Sequence, residues 1–151
     1  MLELAVAKDR DAVNALAQQV HQMHVAWRPD IFENTAELYT EARFLEAIKA
    51  RELYVAKLGD MIAGYVLITI RTCDHPGTVK RRVMLLEELC VDRSFRRHGI
   101  GRQIMEEVKL LARAFGCTDI QLCVYPQNAA AIALYESMGM DVKSIQYQMT
   151  L

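Results

Sequence analysis

Residues 84–101 read Met84-Leu-Leu-Glu-Glu-Leu-Cys-Val-Asp92-Arg-Ser-Phe-Arg96-Arg-His-Gly99-Ile-Gly101, and this stretch decides how the rest of the chain is arranged. An apolar run of β-strand type gives way to a tight loop rich in Arg and Gly, and a helix starts on the loop's last residues. Ile100, Ile104, Val108, Leu111 and Phe115 recur at helical spacing, Arg102, Glu106, Lys109 and Arg113 fill the other face, and Gly116 is a natural stop. The start of such a helix offers unpaired N–H groups and the positive end of its dipole, which suits a phosphate. Gly99 and Gly101 carry no Cβ, so a phosphate can approach the backbone there. The expectation is a loop that holds a pyrophosphate.

Upstream, Leu2-Glu-Leu-Ala-Val6 reads as a short strand, followed by a helix capped by Asp9 or Asp11. Val13, Leu16, Ala17, Val20, Met23, His24 and Trp27 form its core stripe, and Arg28-Pro29-Asp30 ends it. His24 is therefore expected to pack in the core and His21, off that stripe, to be solvated; His75 is expected on a loop surface. A second helix is predicted from Asn34 or Thr35 to about Ala50. Glu52 to Leu58 and Met61 to Ile70 form a hairpin in outline, joined at Gly59-Asp60, with Gly64 marking a bulge or close approach. Arg71 to Arg82 reads as an exposed loop. Downstream, Asp119 to Tyr125 reads as a strand, Ala129 to Met138 as a helix closed by Gly139, and Met140 to Leu151 as a final strand. The order is mixed α/β, with residues 84–125 expected to form a right-handed parallel crossover and the hairpin to add antiparallel pairing.

The chain has 151 residues, enough for one domain with a real core, and that domain is expected to run over 1–151. Its net charge of −1 gives no reason to expect nucleic acid, and no apolar run reaches the ~20 residues that span a membrane. Glu3, Lys8 and Asp9 leave no secretory h-region. Cys73, Cys90, Cys117 and Cys123 show no CxxC spacing, and the expectation is a reduced, cytoplasmic protein with no metal site.

Two common phosphate loops do not fit. A Rossmann fingerprint starting at Gly99 needs a small residue at position 104, which is Ile, and no Gly-Lys-Ser/Thr follows the central strand. Arg96-Arg-His-Gly99-Ile-Gly101 after Val91-Asp92 resembles the acetyl-CoA loop of the GNAT superfamily of N-acetyltransferases, whose pattern is Gln/Arg-x-x-Gly-x-Gly/Ala. The element order along the chain is similar too, and so is the later segment from Asn128 through Tyr135 to Gly139-Met140.

The resemblance implies a GNAT fold, a twisted mixed sheet flanked by helices whose strands splay around residues 84–91 and 118–125. It implies that main-chain N–H groups of Arg97, His98, Gly99, Ile100, Gly101 and Arg102 cradle the pyrophosphate of acetyl-CoA, with Arg96 adding a side-chain contact or pairing with Asp92. The pantetheine then lies in the gap along Leu89, Cys90 and Val91. Asn128 approaches that arm or simply caps its helix, and Tyr135 points at sulfur.

Acetyl transfer to an amine needs a base, because at a reference pKa of about 10.4 roughly 1 in 2,500 amines is neutral at pH 7, a penalty of about 4.6 kcal/mol. It also needs a donor for the developing oxyanion and an acid near sulfur. Adjacent carboxylates in an apolar strand are costly unless used or solvated, so Glu87 and Glu88 are the candidates, sent to opposite faces by strand alternation or paired with Arg81 or Arg82. By resemblance Glu87 is the base and Tyr135 the acid. The acceptor is a small-molecule or peptide amine, its pocket drawn from Trp27, Arg28, Phe32, Tyr39 and Glu88. The rival is a non-catalytic acyl-CoA-binding or sensing module. A homodimer through an exposed edge strand near the C-terminus follows by analogy.

Overall fold

The computed structural model describes all 151 residues. In chain order the elements are β1 (Leu2–Leu4), α1 (Arg10–Trp27), α2 (Glu41–Lys49), β2 (Leu53–Leu58), β3 (Met61–Cys73), β4 (Arg81–Val91), α3 (Ile100–Ala114), β5 (Asp119–Leu122) and α4 (Ala129–Ser137). The strands form one sheet in the order β1-β2-β3-β4-β5. The first four pair antiparallel and β4 pairs parallel with β5, as the crossover predicts.

The sheet has two apolar faces. Met84 and Leu86 of β4 pack with Val66 and Ile68 of β3 against Ile104 and Val108 of α3. On the other face, Val13, Leu16 and Ala17 of α1 and Phe44 and Ala47 of α2 cover Leu53, Val55, Tyr65 and Cys90. One strand serves both faces because its phase changes. Leu67 pairs with Glu88 but the next residue, Ile68, pairs with Leu86, so Glu87 is an extra residue in a bulge. Even-numbered side chains face α3 before the bulge and α1 after it.

Gly64 stands where β3 crowds β4: a Cβ there would lie 2.4 Å from the Cys90 carbonyl oxygen. The β2–β3 register also slips opposite it, after Ala56. The polar segment between β3 and β4 is shorter than the expected loop, since the two strands extend to Cys73 and from Arg81.

Two expectations are corrected. The second helix begins at Glu41, capped by Thr40, whose hydroxyl accepts from the Arg43 N–H at 3.2 Å. Residues before it stay irregular because Asn14 of α1 captures their main chain: its Oδ1 accepts from Tyr39 N (2.8 Å) and Leu38 N (3.2 Å), and its Nδ2 donates to Tyr39 O (2.9 Å). Residues 141–151 form no strand. They run as an exposed arm, with Val142 80%, Tyr147 90% and Met149 83% exposed, tied to the body by side-chain bonds from Lys143 to Gln121 and from Arg28 to Gln148.

Candidate active site

β4 and β5 pair only over Val83–Leu86 and Asp119–Leu122. Beyond that the strand ends before Cys123, and β4 from Glu87 to Val91 is left without a neighbour on that side. Asp92 N donates to Ala63 O across to β3, so by alternation Leu89 and Val91 turn their own N–H and C=O into the gap. Arg96 reaches into it as well: its Nε donates to Val91 O at 2.9 Å, and it makes no pair with Asp92. Cys90 does not belong to this gap. It pairs with Tyr65, its side chain is buried, and its Sγ donates to Leu16 O at 3.2 Å; burial pushes the thiol up to about 12.

At the far end of the gap the chain makes a 3-10 turn at Arg93–Phe95. Asp92 caps it, accepting from Ser94 N and Oγ and from Gln19 Nε2. The Ser94 hydroxyl and N–H, then Gln19, hold the Asp92 carboxyl below the usual carboxylate range. Arg97 then takes φ +64° and Gly99 φ +78°. For a non-glycine residue that left-handed geometry costs about 1–2 kcal/mol, so the loop's shape is imposed on Arg97. Gly99 is the N-cap of α3 and no side chain caps this helix, so its first-turn N–H groups stay open. These open donors, flanked by exposed Arg97, His98 and Arg102, fit a pyrophosphate; Arg102 itself donates to Ser137 Oγ at 2.7 Å, tying α3 to α4. Gly101 has a second reason to be glycine, since a Cβ there would lie 3.1 Å from Leu134 Cδ2 of α4.

A cavity of about 340 Å³ opens where the gap meets α1, the 28–40 segment and α4. Glu87, Glu88 and Leu89 line it from β4, with Asn128 and Tyr135 from α4. The bulge brings both carboxylates to this one cavity, against the expectation of opposite faces. Glu88 is fully engaged: Oε2 accepts from Tyr65 Oη (2.6 Å) and Tyr39 Oη (2.9 Å), and Oε1 from Arg43 Nη2 (3.2 Å). Glu87 is exposed and accepts only from Thr69 Oγ1 at 2.8 Å. Arg81 pairs instead with Asp119.

Tyr135 is half-buried, and burial alone raises its hydroxyl above the ordinary value. Asn128 caps α4, its Oδ1 accepting from Ala131 N at 3.2 Å, and also lines the cavity. Of the aromatic residues expected around the acceptor, Phe32 lines the cavity and Trp27 stands behind His24. Tyr39 is fully buried core and Arg28 is turned to Asp30 and Gln148. His21 and His24, read as solvated and core, both line the cavity. The His24 ring stacks on Phe32 (5.1 Å, 28°) and is tilted against Tyr125 (5.4 Å) and Trp27 (5.8 Å). Their i, i+3 spacing was the available signal; Arg43 and Tyr65 gave none.

Residues 17–140 match the acetyltransferase (GNAT) family. A [ribosomal protein bS18]-alanine N-acetyltransferase of Salmonella typhimurium is 39% identical over 61 residues, 40% of this chain and 41% of that protein. The chain therefore matches less than half the length of that curated relative. The BH1408 protein of Bacillus halodurans, solved as a tetramutant, superposes with a TM-score of 0.94 at 29% identity over 100% of this chain and 99% of that one. The aminoglycoside N-acetyltransferase AAC(6')-Iy, solved in complex with CoA, has a TM-score of 0.71 at 17% identity over the whole of both chains, a likeness of fold alone. With its mixed sheet, its parted strands and a family match over most of its length, the chain belongs to the acetyltransferase (GNAT) family.

Proposed function

We propose that residues 1–151 form one catalytic domain that transfers acetyl from acetyl-CoA to the amine of a small molecule or peptide, without a covalent enzyme intermediate. The observation that carries this is convergence: the open edge of Leu89 and Val91, the uncapped start of α3 and the cavity holding Tyr135 follow one another along a single gap. The thioester supplies an acyl carbon open to attack. The first-turn N–H groups of Ile100, Gly101 and Arg102 hold the pyrophosphate, and the Leu89 and Val91 edge aligns the arm as an added strand. Leu89 N–H serves the thioester oxygen. Arg96 leaves the Val91 carbonyl when the arm arrives. Tyr135 keeps its proton at neutral pH and donates it to the leaving sulfur.

Since Arg43 and two phenols match Glu88, Glu87 is the carboxylate that draws in a cationic amine. The relative named for an alanine of a ribosomal protein puts a peptide amine within the acceptor class. Free-thiol release from acetyl-CoA, followed across spermidine, kanamycin, 2-phenylethylamine and an alanine-initiated peptide, tests the reading. Amine-dependent release is expected. Tight CoA binding with no release from any of them would instead favour a non-catalytic acyl-CoA sensor, a reading that leaves the cavity beside the gap without a use.

The partner implied by the arm is a second copy of this chain. Residues 141–151 make no main-chain hydrogen bond within the chain, and β5 ends the sheet with an open edge. An arm with Val142, Ile145, Tyr147 and Met149 exposed is a strand seeking that kind of edge. No helix is long and apolar enough to cross a membrane, and all four cysteines are free, which suits a reduced cytoplasmic setting.

A further inference from the structure

The wall of the cavity opposite β4 is built from rings, and one of them carries a lone pair. His24 is placed by packing on three sides: Phe32 from the segment after α1, Trp27 from its own helix and Tyr125 from beyond β5. No protein side chain hydrogen-bonds its imidazole, which opens to the cavity shared with Glu87, Leu89 and Tyr135. We propose that His24 takes the first proton from the acceptor's ammonium group, with Phe32, Trp27 and Tyr125 fixing the ring for that task. The proposal rests on the acetyltransferase reading above and deepens it.

The carboxylates are the poorer candidates. Glu88 already accepts three hydrogen bonds, two from phenols and one from Arg43. Glu87 is exposed, and its carboxylate already accepts from Thr69 Oγ1. The groups that face His24 are His21 on α1, Glu87 and Glu88 on β4, Arg43 on α2, Tyr65 on β3, Tyr125 after β5 and Tyr135 on α4. Burial holds the imidazole below the ordinary histidine range, His21 pushes the same way, and Glu88 opposes both. The ring is therefore neutral at pH 7 and ready to accept.

The balance is complete with groups already named. The amine nitrogen bonds the acyl carbon as the carbon–sulfur bond breaks. An ammonium becoming an amide loses two protons. His24 holds the first and passes it to solvent; the second leaves nitrogen and restores the Tyr135 hydroxyl, whose own proton has gone to sulfur.

The test uses the whole chain in two arms. First, the His24 ring carbon is followed by NMR against pH; its midpoint is expected below 6.5, and a midpoint at or above that value overturns the proposal. Second, His24→Gln and His24→Phe, the latter keeping the stack on Phe32, are assayed with the amine from the panel that the wild type turns over fastest. Both are expected to lose activity on the order of 10²-fold. Acetyl-CoA affinity should be unchanged, and the fall in rate toward low pH that the wild type shows should disappear. Wild-type turnover with His24→Gln within twofold, or with the same acid limb, overturns the role of His24 alone. No release from the wild type with any amine overturns the acetyltransferase reading, and this proposal with it.

Discussion

The two sides of the gap are built on different principles. The side formed by β4, the Arg96–Gly101 loop and the start of α3 offers main-chain groups: the Leu89 and Val91 edge, and the first-turn donors beyond Gly99. The side formed by the end of α1, residues 28–40 and the turn after β5 offers side chains: His21, His24, Phe32 and Tyr125. Main-chain sites depend on backbone shape and tolerate changes of side chain that avoid clash. Side-chain sites change with every substitution, which is how one fold serves many acceptors.

The hardest blow to this contrast is Gly101→Glu. It sets a negative charge against phosphate and a Cβ 3.1 Å from Leu134, so CoA affinity measured by calorimetry is expected to fall by about 100-fold or more, consistent with losing about 3 kcal/mol. Gly101→Ala separates the causes: the Leu134 methyl can give by a few tenths of an ångström, so affinity should move far less. Equal losses in both variants would assign the effect to α4 rather than to phosphate.

Tyr135→Phe comes next. It removes the proposed acid while keeping the packing, so kcat should fall by about 10²-fold with CoA affinity unchanged. In the wild type the midpoint of any alkaline loss from this group should lie above pH 10, because burial raises its hydroxyl and the protonated form that donates predominates until pH passes that midpoint. Unchanged turnover in the variant would remove Tyr135 from the chemistry.

Truncation after Asp141 removes the exposed arm. The full chain is expected to run as a dimer in light scattering and the truncated chain as a folded monomer; a monomeric full chain would break the arm's assignment to a second copy.

The smallest effect is expected on the side-chain wall. Asn14→Ala loses three hydrogen bonds to residues 38 and 39, so thermal or denaturant unfolding should show a loss of about 1–3 kcal/mol. KM for the amine should rise and CoA affinity stay put. A change in CoA affinity here would mean that the two sides are coupled.

What sequence could and could not tell divides along the same line. The loop was legible because Arg96, Gly99 and Gly101 act locally: a positive φ and a helix start are properties of a few neighbouring residues. The second helix was set too early because Asn34 and Thr35 look like caps, while the group that keeps residues 38–39 extended, Asn14, lies 24 residues or more upstream. His24 fell on the helical stripe as predicted, but that end of α1 overhangs the cavity rather than the sheet. Tyr39 looked like a pocket aromatic until its hydroxyl met Glu88 inside the core. The arm kept its strand-like alternation with no strand beside it, since pairing depends on an edge that pattern alone does not supply.

The bulge at Glu87 makes β4 behave like a text with a shifted reading frame. Deleting that one residue would leave each flanking side chain on its present face, Leu86 and Leu89 toward α3 and Glu88 toward α1, because their partners Leu67 and Ile68 are already consecutive on β3. A substitution at Glu87 costs one carboxylate, whereas a deletion there costs the bulge as well, and with it the local bend and twist of β4 beside the gap. Any transplant of this acceptor wall onto another member of the fold must therefore carry the extra residue along with the side chains.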